Sequence, residues 1–387
     1  MRPATEPMRV LHIDNGKLFG GVETILTTIA RSREHTPDVE PEFAVCFEGR
    51  LSRELAIAGA PLHMLGEVRI RHPLTLMRAR RRLREILSSG SYDAVVCHMT
   101  WTQALFGSVA RASGVPVAMW QHMAPNRRDW LEQWARMAGP DLVICNSQFT
   151  ASEFRGAYPS LPVEVVYCPV APPSISYSRA DRDATRSELT TRADAVVIVH
   201  TGRMQEWKGQ RLLMQAASII KSNSQWIIWF VGGAQRESEH RYLASLHASA
   251  VELGIEDRIR FAGQRGDVER LLAASDIHCQ PNISPEPFGI ALVEALYAGI
   301  SVVTTRMGGA IEIVNDSCGI LVPPNDPSAL AAALEKLIAD GEARRRLGNA
   351  GPARARELCD PPRQMELLRK TLLNLCGARQ PVASHAE

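Results

Sequence analysis

Short apolar runs alternate with longer amphipathic ones along the whole chain. In the first half the runs RVLHID (9–14), FAVCF (43–47), AVVCHM (94–99), PVAMWQ (116–121), LVICN (142–146) and VEVVY (163–167) are continuous rather than alternating in polarity. Between them, stretches such as VETILTTIARS and QALFGSVARAS place apolar residues at helical spacing. Continuous apolar strands separated by helices predict a parallel sheet covered on both faces. The second half repeats the scheme with AVVIVHTG (195–202), WIIWFVGG (226–233), IRFAG (259–263), IHCQP (277–281), ISVVTT (300–305) and GILVP (319–323). The break falls at 168–188, where prolines, serines and charges show no apolar period, and this segment reads as a linker. The expected fold class is α/β, with two doubly wound Rossmann-like domains facing across a cleft. The first occupies 1–172 and the second 173–360. A last helix near 364–375 and a loose tail make up 361–387, and 1–7 are expected to be loose as well. Domains of this kind bind ligands at the carboxyl ends of their strands, where the crossover direction switches.

Composition narrows the class. A chain of 387 residues fits two to three domains at roughly one per 150. Hydrophobic residues at 45% and charged residues at 22% exclude a disordered, collagen-like or coiled-coil chain. Lys+Arg 44 against Asp+Glu 42 leaves +2, so no overall field points to nucleic acid. No run approaches the roughly 18 to 20 apolar residues of a membrane span, and MRPATEPMRV lacks the apolar stretch of a secretory signal. The eight cysteines stand singly in apolar runs with no CxxC pair. They read as reduced, buried thiols of a cytoplasmic enzyme, and no zinc cluster is expected.

Three segments carry candidate chemistry. In PNISPEPFGIALVEALYAGISVVTT (281–305) a strand ends, a loop follows and a helix opens near Phe288 and Gly289. Glu286 lies in the loop and Glu294 about two turns along the helix. Unpaired helix-start amides suit a phosphate, and Gly289 lets it approach the backbone. The carboxylates then suit hydroxyls on either side. As a bare pattern the segment also fits an ordinary helix with surface glutamates. In HTGRMQEWKGQRLL (200–213), Arg203 and Lys208 follow the second domain's first strand and can neutralise a diphosphate, or stand as a solvated basic loop. In DNGKLFGGVETILTTIA (14–30), Gly20 and Gly21 sit at a helix start, where they let ligand atoms pass close to the backbone or simply make a tight turn, in neither a GxGxxG nor a Walker spacing. His98 and His122 end first-domain strands and are expected to face the ligand side, or to stand as satisfied structural imidazoles. Asp181 and Asp183 form a DxD string with no preceding strand, so they are not read as a metal site.

Together these pieces resemble the retaining glycosyltransferases of family 4, which have the GT-B fold. The matching segments run in the family's order: GGVE (20–23), His98 and His122, NSQFT (146–150), TGRMQEWKG (201–209), FVGG (230–233), RIRFAGQRGDVERLLAASDIHCQP (258–281), SPEPFGIALVEALYAGISVVTT, MGGAIEIV (307–314) and GILVPPND (319–326). They cover roughly 9–340, and the second half is the more specific. The resemblance implies that Glu286 holds donor-sugar hydroxyls, Glu294 the ribose, and Arg203 with Lys208 the diphosphate. The amides of Phe288, Gly289 and Ile290 complete that site. The loop near Arg265 resembles the base-binding loop, which acts mainly through its backbone. His122 resembles the histidine beside the reacting sugar, and Gly20 and Gly21 the loop under the phosphates. Two departures stand out. The family's EGFG reads EPFG with Pro287, and its asparagine–glycine turn before the linker reads CPVAPP.

The implied reaction is a metal-independent transfer with no cofactor, in which a nucleotide-diphosphate sugar is the co-substrate. Fixed cations receive the leaving diphosphate, and with no evident enzymic nucleophile a front-face substitution is expected. On the acceptor side His98, Arg127 and Arg128 are weaker candidates. Residues 69–84 carry seven arginines, at 69, 71, 78, 80, 81, 82 and 84. With Leu74, Met77, Leu83 and Ile86 they make a basic amphipathic helix that suits an anionic membrane, an acidic acceptor or plain solvent. The expected location is cytoplasmic, with peripheral contact at the membrane face. The alternatives are a nucleotide-sugar epimerase of similar fold and a non-catalytic sugar-nucleotide binder.

Overall fold

The computed structural model describes residues 6–377. The chain divides into two compact units, 1–170 with 359–387, and 171–358. In the first unit, β1 (Met8–Asp14), β2 (Val39–Val45), β3 (Leu62–Met64), β4 (Ala94–His98), β5 (Val117–Gln121), β6 (Leu142–Cys145) and β7 (Val163–Val165) form one sheet. Its order is β3-β2-β1-β4-β5-β6-β7, and every pairing is parallel. The connecting helices are α1 (Gly21–Arg31), α2 (Arg50–Ile57), α3 (Pro73–Ser89), α4 (Met99–Ala112), α5 (Trp130–Met137) and α6 (Gln148–Ala157). Leu11, Ile13, Val95 and Cys97 from adjacent strands pack with Leu83, Leu105 and Phe106 from the helices. Strands buried on both sides account for the continuous apolar runs.

The second unit begins with α7 (Arg179–Glu188). Its sheet contains β8 (Val196–Thr201), β9 (Trp226–Val231), β10 (Ile259–Gly263), β11 (Ile277–Gln280), β12 (Ser301–Thr305) and β13 (Gly319–Val322), in the order β10-β9-β8-β11-β12-β13. The helices are α8 (Gln210–Ile219), α9 (Glu237–Leu253), α10 (Val268–Ala273), α11 (Ile290–Tyr297), α12 (Ala310–Ile313), α13 (Pro327–Ala339) and α14 (Gly341–Cys359). The last helix, α15 (Pro361–Gly377), returns to the first unit, where Arg369 pairs with Asp38 at 2.7 Å. In each sheet the strand order reverses once, between β1 and β4 and between β8 and β11.

The structure corrects three readings. The segment 168–188 is not linker throughout, because 179–188 is helical. Ser178 and Asp181 cap that helix reciprocally. Arg182 and Arg186 fasten it to Asp276, each at 2.6 Å, and to the carbonyls of 273–275. Polar clamps replace the apolar stripe that periodicity looks for. The edge strand β3 adds a strand to the expected set, its three half-buried residues being too short to show an apolar run. In α3, Leu83 and Ile86 belong to the core, while Leu74 and Met77 are exposed beside Ile70. Arg80 leaves the basic face as well, donating its Nε–H to the Leu105 carbonyl at 2.7 Å.

Seven of the eight cysteines are buried, and no disulfide joins any of them among the described residues. Among the described residues no helix is long and apolar enough to cross a membrane. The expected loose ends at 1–5 and 378–387 lie outside the described residues, and 6–7 lie inside them.

Candidate functional site

At the reversal in the second unit, two loops leave neighbouring strand ends. The first runs from β8 through a short 3-10 turn, Glu206–Lys208, to Gly209. Gly209 has φ +78, and a Cβ there would lie 1.9 Å from the Pro281 carbonyl oxygen of the second loop. Only glycine permits that approach. The Ile283 amide donates to the Trp207 carbonyl at 2.9 Å, joining the loops. His200, on β8, donates its Nε2–H to the Lys208 carbonyl at 3.0 Å. Burial lowers the His200 pKa to about 4, so it donates as a neutral ring.

These contacts bring Lys208 and Glu286 together. Lys208 Nζ lies 2.6 Å from Glu286 Oε2 and 4.0 Å from the centre of the Trp207 ring. The same carboxylate oxygen accepts from Gln280 Nε2 at 2.9 Å and Asn282 Nδ2 at 2.7 Å. Three donors therefore converge on Oε2, and among the described residues no bond reaches Oε1. The Glu286 carbonyl accepts the Gly309 amide at 2.7 Å, which fixes the loop backbone. Gly289, at φ +116, caps α11 with no side-chain acceptor on its first turn. The helix start next to Glu286 thus has amide polarity without a capping side chain.

Arg203 has a partner that the sequence did not reveal. It pairs with Glu239 on α9, which also accepts from Gln205 Nε2 at 3.1 Å and the Gln235 amide at 2.7 Å. Burial would raise the Glu239 carboxyl, but these donors outweigh it and hold its pKa below the usual value. Glu239 sits in an unremarkable polar helix segment, ESEHRYL, where no motif marks it. Glu294, on the second turn of α11, is pushed up to about 7 by desolvation, with the charge of Glu269 adding. The Arg265 side chain is tied to Asp267 at 2.8 Å and Glu188 at 2.6 Å. That leaves this loop's backbone, rather than the guanidinium, for the base contact that the resemblance implies.

At the reversal in the first unit the loop after β1 turns at Gly16, not at the glycine pair. Gly16 has φ +75, and its amide donates to Asp14 Oδ2 at 2.8 Å. A Cβ on Gly16 would meet the Phe47 carbonyl oxygen at 2.9 Å. Gly20 is extended, at φ −163, and serves as N-cap of α1, its amide donating to Glu23 Oε2 at 2.8 Å. Gly21 opens that helix. Neither glycine has the positive φ that would demand it. The signal for Gly16 was present in the Asp-Asn-Gly triplet at 14–16, a turn-forming sequence. Burial and the neighbouring Glu23 push the Asp14 carboxyl up.

His122 follows β5 and is 7% exposed. His98 was expected to face a ligand, but it is fully buried at the end of a central strand, between His12 and His122. It therefore has no surface for an acceptor. Arg127 and Arg128 are exposed just before α5, and among the described residues neither forms an ion pair.

Comparison with known proteins places this geometry. The family model described as "Glycosyltransferase Family 4" matches 19–172, and "Glycosyl transferases group 1" matches 181–354. A lipopolysaccharide core biosynthesis glycosyltransferase, LpsE of Rhizobium meliloti, is 34% identical over 167 residues, covering 43% of this chain and 46% of the relative. A D-inositol 3-phosphate glycosyltransferase of Actinosynnema mirum is 30% identical over 288 residues, covering 67% of this chain and 68% of that one. The chain thus spans about half the length of the first relative and about two thirds of the second. The crystal structure of Anabaena Alr3699/HepE in complex with UDP and glucose superposes with TM-score 0.83 at 25% identity, covering 95% of this chain and 99% of that one. The two doubly wound sheets are those of the GT-B fold. With both halves matched in order and each sheet reversing once, the chain belongs to glycosyltransferase family 4.

Proposed function

We propose that this chain is a retaining glycosyltransferase that moves a sugar from a nucleoside-diphosphate donor to a hydroxyl of a sugar-containing or lipid-linked acceptor, without a divalent metal. The observation that carries the reading is the Lys208–Glu286 pair beside the start of α11. Glu286 Oε2 is saturated by three donors, so Oε1 is the oxygen presented to sugar hydroxyls. Charge builds on the diphosphate as the anomeric bond breaks. Lys208, Arg203 and the α11 amides supply positive potential for it, a preorganised stabilisation of the oxyanion-hole type. Similarity to a protein crystallised with UDP and glucose supports UDP as the first base to test. Attack from the face that the diphosphate leaves would let a donor phosphate oxygen take the acceptor proton. Glu294 is assigned to the ribose, and a carboxyl poised near neutrality accepts or donates to a hydroxyl pair there.

The acceptor side is assigned to a membrane-proximal substrate. Ile70, Leu74 and Met77 are exposed among Arg71, Arg78, Arg81, Arg82 and Arg84. That combination suits peripheral contact with anionic lipid at the cytoplasmic face.

The test is a panel of UDP-, GDP- and ADP-sugars, scored by thermal stabilisation, release of nucleoside diphosphate with and without EDTA, and proton NMR of the product anomer. Retention of configuration in EDTA is expected. Inversion, or a strict need for metal, overturns the proposed mechanism. An epimerised donor with no acceptor present favours the epimerase. Binding without any turnover favours a sugar-nucleotide binder.

A further inference from the structure

The Glu286 carboxylate belongs to a closed triangle of side chains in the second unit. Gln280 is the last residue of β11, which lies between β8 and β12, and Asn282 follows two positions later. Gln280 is 0% exposed and Asn282 2%. Both are pinned from the neighbouring strand. The Thr304 hydroxyl donates to the Gln280 carbonyl and the Thr305 hydroxyl to the Asn282 carbonyl, each at 2.8 Å. Gln280 Nε2 donates to Asn282 Oδ1 at 3.1 Å and to Glu286 Oε2 at 2.9 Å, while Asn282 Nδ2 donates to the same Oε2 at 2.7 Å.

A primary amide has two N–H donors, and Gln280 uses both inside the triangle. Turning the Gln280 amide over would set its oxygen against Asn282 Oδ1 and Glu286 Oε2. Turning the Asn282 amide over would set Oδ1 against Oε2. Each amide therefore has one orientation. The Glu286 backbone is fixed separately, by its bridge to Gly308 and by the Gly309 amide. With backbone and Oε2 both held, the direction of Oε1 is determined. Glu286 keeps 10% side-chain exposure, and Oε1 is not one of the buried polar atoms without a partner, so it is the oxygen open to solvent.

The triangle leaves one group unsatisfied. Gln280 Oε1 is buried and has no partner among the described residues. An unpaired buried carbonyl is destabilising, and an apolar residue of the same length would avoid it. The β11 neighbours Ile277 and Cys279 are apolar core residues of that kind. Packing alone gives no reason for a glutamine at 280, whereas its donors to Asn282 and Glu286 do. Lys208 acts differently on the same oxygen. An ammonium on a flexible four-carbon stem is a point charge with rotatable donors, so it imposes no plane on the carboxylate.

We infer that Gln280 and Asn282 are positioning residues that fix the plane of the Glu286 carboxylate and so set which ring hydroxyls of the donor sugar Oε1 accepts, while Lys208 supplies charge without geometry. The inference rests on the proposed glycosyl transfer for its ligand, but the amide lock does not.

Thermal melts of the ligand-free protein test the lock. Q280M removes the donors and the orphaned carbonyl together. It is expected to lower Tm in the wild-type background and to lower it no further in an E286M background, because the two residues act as a pair. An equal fall in both backgrounds overturns the lock. The sugar role is read as the ratio of kcat/KM between two donors that differ at one ring carbon. The pair is UDP-glucose and UDP-galactose, or GDP-mannose and GDP-glucose, whichever contains the best donor of the panel. The wild type is expected to prefer one member by about tenfold or more, and Q280M and N282L each to bring the ratio near one. The Kd for the free nucleoside diphosphate should stay within about twofold of wild type in both variants, which a general loss of structure would not allow. K208M should slow both donors and leave the ratio within about threefold of wild type. A ratio preserved in Q280M and N282L, or lost equally in K208M, overturns the inference. A wild type that turns over no sugar nucleotide of the panel fails the proposed function, and the melts still decide the lock by themselves.

Discussion

Replacing Lys208 with methionine separates two tasks that the site gives one side chain. K208M keeps the aliphatic stem beside Trp207 and removes the ammonium group. That group is the charged one of three donors on Glu286 Oε2, and both partners are largely buried, with side-chain exposures of 16% and 10%. A charge-assisted hydrogen bond of this kind contributes about 1.5–3 kcal/mol. If Lys208 acts only by holding Glu286, the barrier rises by about that much, roughly 10- to 150-fold in rate. If it also meets the leaving diphosphate, the loss approaches about 3–4 kcal/mol, on the order of 10²–10³ in kcat. A cycle with E286Q distinguishes the cases, since the two residues touch and their effects should not add. A purely positioning lysine leaves K208M/E286Q no slower than E286Q. A lysine on the diphosphate drops the double variant about tenfold or more below E286Q. The assay is release of nucleoside diphosphate from saturating donor, with thermal melts to confirm folding. A K208M protein with wild-type melting and kcat within threefold of wild type would refute the role.

Glu294 makes stability depend on pH, because its carboxyl is raised from 4.5 to about 7 in the fold. Folding favours its protonated form, so this contribution is complete below about pH 4.5 and is lost as pH rises through about 7. E294Q should remove that dependence, and its melting advantage over wild type should grow from pH 5 to pH 8; an advantage constant with pH disproves the raised carboxyl. G209A places a Cβ against the Pro281 carbonyl oxygen at a left-handed position. It should lower Tm by several degrees, whereas G266A, with open space around it, should melt as wild type does. Serine at Arg78, Arg81 and Arg82 should abolish flotation with anionic vesicles and leave turnover of a soluble donor intact. Equal flotation of that variant and the wild type removes the membrane from the proposal.

Local patterning exposed what local forces build. Strands such as WIIWFV and AVVCH are apolar because both faces of each sheet are covered, so their positions could be read directly from the sequence. The loop holding Lys208 and the helix start at Gly289 were legible for a similar reason, since strand, loop and helix follow each other in sequence. Contacts assembled across the sheet were hidden. Glu239 meets Arg203 only because α9 packs near the end of β8, and His12 looks like any polar residue inside a strand until β4 brings His98 alongside. The α7 helix lacks an apolar stripe because arginine–aspartate pairs hold it instead of apolar burial. Gly16 makes the turn that the more conspicuous glycine pair, with its ordinary backbone, does not.

The amide of Val170 donates to the carbonyl of Cys359 at 3.0 Å. The places where the polypeptide leaves its first unit and re-enters it are therefore one hydrogen bond apart. In topological terms the second unit is an insertion carried between adjacent points of its host, and α15 is the host's own final segment. Deleting 171–358 and splicing the two points with a short flexible bridge should yield a folded seven-stranded protein, whereas trimming the carboxyl-terminal helix should harm the half of the molecule most distant from it in sequence.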